Sequence, residues 1–134
     1  MTLKTRQTLL LVAAIFNWVV GLSLFFVPDL FLSLLQVEPL TGRAFWLQQF
    51  AGLVFIFGLG YFWAARDFHG NRSIVRLAVL AKTGVAAIAL INVVDGKINW
   101  PIMIPASADV IFACLFITAL SYSDDSDTVD TQPA

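Results

Sequence analysis

Four runs of apolar residues, each close to the length that crosses a bilayer's hydrocarbon core, leave this chain few ways to fold. They lie at about 8–27, 44–65, 74–94 and 100–122, and a spanning helix needs about 20 predominantly apolar residues. Of the 134 residues, 59% are hydrophobic and 13% charged, against about 25% charged in a typical soluble domain. The remaining polar surface could not cover four such segments, so lipid is the solvent they call for. The fold expected is all-α: a four-transmembrane-helix bundle with short loops over residues 1–122, and a disordered tail over 123–134. Four of the nine acidic residues fall after Tyr122, and so polar and acidic a stretch cannot build a core.

The breaks between the runs are marked. Pro28 stops the first helix, since proline ends an interior turn. The connection Asp29 to Gly42 carries Leu30, Phe31, Leu34 and Leu35 at helical spacing, the pattern of a segment lying in the membrane interface. Arg66 to Arg72 reads as a polar turn, and Asp95-Gly96 closes the third run. Lys4 and Arg6 precede the first run as in a signal peptide. The run is longer than the usual core of about 7–15 residues, and it ends in Pro28-Asp29 without small residues, so a retained helix is expected.

Basic residues orient the bundle. Lys4, Arg6, Arg66, Arg72 and Arg76 fall on one side of a four-helix arrangement, and Arg43 and Lys97 on the other. The positive-inside rule then places both termini in the cytoplasm and the chain in the inner (cytoplasmic) membrane. Trp46, Tyr61, Trp63 and Trp100 lie near helix ends and read as interfacial anchors.

Composition also excludes. A net charge of −1 offers no field for nucleic acid. His69 is the one histidine and Cys114 the one cysteine, so a histidine-rich metal centre and an intrachain disulfide are both impossible within one chain. His69 reads as a solvated loop residue. There is no serine–histidine–aspartate set, CxxC, HExxH or phosphate loop, and no pair of carboxylates within the apolar runs. No cofactor is predicted.

The informative residues are polar ones inside apolar runs. Asn17, Lys82 and Asp109 stand deep in the first, third and fourth runs. A charge at the bilayer centre costs about 2.5–3.5 kcal/mol, so such groups face the bundle interior and pair. Counted from one end of the bundle at 1.5 Å per residue, Asn17 lies about 13 Å deep, Lys82 about 12 Å and Asp109 about 20 Å. With the lysine stem bridging the difference, the three are expected to form one mid-membrane layer. Small residues share their faces: Ala13 and Gly21 with Asn17, Ala78 and Ala86 with Lys82, and Gly52, Gly58 and Gly60 on the second helix. These are the expected packing positions, because small residues let membrane helices approach closely. Gln48, Gln49, Asn92 and Asp95, nearer the helix ends, form a secondary polar set. Two readings are open for the layer: a structural lock on helix register, or a polar pocket.

Asn17 and Gly21 before Pro28, Arg43 leading into Gly52 and Gly58-Leu59-Gly60-Tyr61, Lys82, and Asp109 followed by Phe112 and Phe116 resemble the DoxX-like group of small four-helix bacterial membrane proteins, over roughly residues 8–122. That resemblance implies the architecture. It also implies quinone-dependent oxidation or partnership with a larger membrane protein, which some members show. Three functions follow. The residues favour a non-enzymatic bundle that binds a membrane partner, a second copy of itself, or a hydrophobic ligand such as a quinone. The alternatives are a small transporter or proton-linked channel using Lys82 and Asp109, and a membrane enzyme acting on a lipid, isoprenoid or quinone.

Overall fold

The computed structural model describes residues 1–38 and 44–126. Among these the elements are α1 (Leu3–Phe26), α2 (Pro28–Leu34), α3 (Ala44–Arg66), α4 (Arg72–Val94), a 3-10 turn at Trp100–Ile102, and α5 (Met103–Ser126). Helices α1, α3, α4 and α5 are long and apolar enough to cross a membrane. Arg43 and the tail from 127 lie outside the described residues.

Local chemistry explains the boundaries. Helix α1 begins earlier than its apolar run because Thr2 caps it, its hydroxyl accepting the Thr5 N–H at 3.2 Å. The helix thus carries Lys4 and Arg6 in its first turns. Pro28 both ends α1 and opens α2, where its fixed φ and missing N–H suit a first turn. Leu32 is the buried residue of α2, while Leu30 and Leu34 are exposed. Gln36, with φ 54°, turns the chain after α2, and Asn99 Nδ2 donates to its carbonyl at 3.1 Å. Helix α5 continues past Tyr122 to Ser126, so the helix overlaps the start of the expected tail. No proline or glycine interrupts the sequence after Pro105 up to that point.

Helix α1 packs chiefly on α3 and α4 chiefly on α5, giving two hairpins side by side. The glycines of the first hairpin set its spacing. A Cβ on Gly21 would stand 3.0 Å from the Ala51 carbonyl oxygen, and one on Gly58 would stand 2.6 Å from the Trp18 ring. Backbone-close approach of this kind is open only to glycine. Gly60 faces Ile74. Gly52 differs from its expected packing role, because a Cβ there would meet no neighbour.

The largest core gathers the first halves of α1 and α4 with the last halves of α3 and α5, as alternating helix directions require. Leu10, Ala13, Ala14, Ala64, Val75, Ala78, Phe116 and Ala119 are all buried there. Phe68, in the turn after α3, folds beneath them with the Arg6 guanidinium 5.2 Å from its ring. This basic end also carries Arg66 and Arg72. A smaller cluster of Leu24, Leu32 and Ala51 closes the far end around α2. Outward faces carry large side chains, among them Ile15, Val19, Ile56, Leu80, Ile88 and Ile111. A continuous apolar surface of that extent is what acyl chains cover.

Candidate functional site

Lys82 is the centre of the polar layer. It is 4% exposed, and its Nζ donates to Asn17 Oδ1 at 3.3 Å and to Asp109 Oδ1 at 2.5 Å. Asn17 donates in turn from Nδ2 to the Val54 carbonyl at 3.2 Å, tying α1 to α3. The layer therefore joins all four long helices: Asn17 on α1, Val54 on α3, Lys82 on α4 and Asp109 on α5. An apolar helix can carry these groups because each charge or amide meets its complement inside the bundle.

Aromatic rings complete the enclosure. The ammonium lies 5.1 Å from the Phe112 ring centroid and 5.5 Å from those of Phe16 and Tyr61. Ring quadrupoles attract a cation at such distances, the more so where water is absent. Tyr61 is 1% exposed, packs edge-on against Phe116 at 5.6 Å, and lines the same space as Asn17, Lys82 and Asp109. Its expected place as an interfacial anchor is corrected: it is a core residue and belongs to the layer. The expectation followed from its position near a helix end. The signal for the core lies in its face, since Gly58, Tyr61 and Ala65 recur at spacings of three and four and are all buried. Trp46, Trp63 and Trp100, by contrast, are exposed.

On the far side of this layer the two hairpins part around a cavity of about 340 Å³. That volume falls within the roughly 300–1,000 Å³ common for small-molecule sites. Its walls are apolar, with Val20 and Leu24 from α1, Leu53 and Val54 from α3, Val85 and Ala89 from α4, and Pro105 and Ala106 from α5. Phe31 and Leu32 of α2 and Leu35 at its end line the far side with Leu47, Phe50 and Ile102. The polar groups in the lining are Asn17, Tyr61, Lys82 and Asp109. The cavity thus reaches the ion pair. Its two members are unequal: the Asp109 side chain is 17% exposed and that of Lys82 4%, so the carboxylate is the half that meets the open space.

The other expected residues stand apart. Ala13, Ala78 and Ala86 are buried at helix contacts. Gln48 and Gln49 are exposed and do not line the cavity, although their neighbours Leu47 and Phe50 do. Asn92 donates to the Ile88 carbonyl of its own helix, and Asp95 pairs with Lys97 at the exposed turn after α4. These local bonds leave the secondary polar set outside the layer. His69 and Cys114 are both exposed. Among the described residues no three histidine, cysteine, aspartate or glutamate side chains come together as a metal site. No family model, curated protein or solved structure matches the chain.

Proposed function

We propose that this chain is a small integral membrane protein of four crossings, without an enzymatic step of its own, that holds a hydrophobic ligand between its two hairpins. The carrying observation is that one apolar cavity ends on the Asp109–Lys82 pair. A structural lock alone would need the pair but not the cavity beside it. Concave apolar sites with a few convergent polar groups are the usual form of a ligand pocket. In the same reading the basic end, with Lys4, Arg6, Arg66 and Arg72, faces the cytoplasm, and the cavity opens toward the opposite half of the inner membrane. The resemblance to DoxX-like proteins agrees with this architecture. A transporter using the same pair would have to open the basic end as well, where Leu10, Tyr61, Phe68 and Phe116 are fully packed. That packing supports holding over passage.

The test is photolabelling in lipid nanodiscs with a diazirine-bearing alkane. Labels are expected on Val20, Val85 and Ala106 as well as on lipid-facing Leu80 and Ile88. In Ala106→Trp, which fills the cavity, labelling at Val20 and Val85 should fall while that at Leu80 and Ile88 persists. Equal labelling of Val20 and Val85 in both proteins, or none in either, would sink the reading.

A further inference from the structure

We infer that the cavity selects a single-chain lipid whose head is an uncharged hydroxyl, donated to the Asp109 carboxylate. This deepens the binding reading above and rests on it.

The donors and acceptors of the layer decide the head group. An ammonium has three N–H donors. Lys82 gives two of them to Asn17 and Asp109, and the Phe16, Tyr61 and Phe112 rings surround the rest of the group. Asn17 is occupied at Oδ1 by Lys82, and one of its two Nδ2 hydrogens goes to the Val54 carbonyl. Asn17, Tyr61 and Lys82 are also all buried. Asp109 alone keeps appreciable exposure, and a carboxylate has room for several hydrogen bonds beyond the one Lys82 makes to Oδ1. The group that a ligand meets is therefore an acceptor, and the ligand's head must donate.

Charge narrows the choice. Lys82 and Asp109 neutralise each other, so the layer carries no net charge for a charged head to balance. A carboxylate or phosphate head would place a second anion beside Asp109. A protonated amine would bring an unbalanced cation into an apolar site, which is costly at that depth. A quinone head offers only carbonyl acceptors, and would face the exposed carboxylate with nothing to donate, since the donors of Asn17, Tyr61 and Lys82 lie buried behind it. An alcohol donates one hydrogen bond to a charged acceptor, adds no charge, and leaves the Lys82–Asp109 pair intact. Its chain would run from Asp109 back along α5 to Ile102 in the turn before it, seven residues or roughly 10 Å, and on to Phe31 of α2 and Leu35 at its end.

The experiment is displacement of the same alkane photolabel from Val85 and Ala106 in nanodiscs, at matched mole fractions of dodecan-1-ol, dodecane, dodecanoic acid, dodecylamine and a decyl-substituted benzoquinone. Dodecan-1-ol should displace the label at a concentration about tenfold below any of the others, the advantage of one hydrogen bond to a charged acceptor. Equal displacement by dodecane would overturn the inference, as would a better result for the acid, the amine or the quinone. In each of those outcomes the cavity label itself survives, so the binding reading stands. Absence of any cavity label defeats the binding reading first. Asp109→Asn leaves Lys82 without its partner and is exposed to misfolding. The paired variant Lys82→Met/Asp109→Leu removes both charges together, and should keep the cavity label but lose the alcohol preference. Retention of the preference in that variant would overturn the inference as well.

Discussion

The basic half and the far half of this bundle are built from the same four helices, yet they pack differently. In the basic half, alanines on α1, α3, α4 and α5 let the backbones close in, and Tyr61, Phe68 and Phe116 fill the space left between them. In the far half the two hairpins separate, and a short helix, α2, covers the gap without filling it. The polar layer lies at the boundary. The difference teaches how a helical bundle can hold a cavity without collapsing: one half provides the stability, and the ion pair at the boundary fixes the register of all four helices for the other half.

Substitutions at matched positions test this contrast. The largest effects are expected where the basic half or the layer loses a partner. Phe116→Ala should cost about 3–5 kcal/mol, the usual range for emptying a packed aromatic site, whereas Val85→Ala at the cavity wall should cost under about 1 kcal/mol. Equilibrium unfolding in mixed detergent and SDS micelles measures both, and equal costs would break the contrast. Lys82→Met should cost up to about 3–5 kcal/mol because it leaves the Asp109 carboxylate without its counter-charge inside the bundle, while Lys82→Met/Asp109→Leu should recover most of that loss. If the double variant were no better than the single one, the pair would be more than a mutual neutralisation.

Smaller effects sharpen the boundary. Gly58→Ala drives a Cβ into the Trp18 ring and should cost about 1–3 kcal/mol, as overpacking does. Gly52→Ala, with open space at that point, should change stability by no more than about 0.5 kcal/mol. The same unfolding assay ranks the two, and a reversed order would mean that α1 and α3 approach on a different face. Between them, Tyr61→Phe removes only the hydroxyl of a residue in the cavity lining and should cost about 0.5–1.5 kcal/mol. No loss at all would show that the ring, rather than the hydroxyl, is what Tyr61 contributes.

Much of this was legible in the residues because it is local. Apolar run length announces the long helices, and Pro28 and Asp95-Gly96 mark their breaks. Asn17, Lys82 and Asp109 stand out because polar groups in such runs are costly wherever the helices go. The rest depended on contacts between segments distant in the chain. Position near a helix end marks Tyr61 as an anchor, and only its helix face, packed in the core, marks it otherwise. Nothing local singles out Leu32 as the buried residue of α2, because one leucine in a short connection has no periodicity of its own. Gly52 looked like a packing residue beside Gly58, and only the line of approach of α1 distinguishes them. Gln48 and Gln49 resembled site residues because polarity is visible in a sequence, while the face that a helix turns toward its neighbours is not.

Four apolar stretches and the price of a charge in hydrocarbon were enough, by themselves, to specify an all-helical bundle with a buried polar layer. The tertiary structure decided that Lys82 meets both Asn17 and Asp109, that Tyr61 joins them, and that the hairpins part on one side of the layer only. The physical reason is that hydrophobicity sets which segments leave water, a property each segment carries alone. Cavities arise from how side chains of different size interlock across helices, and no single segment contains that information.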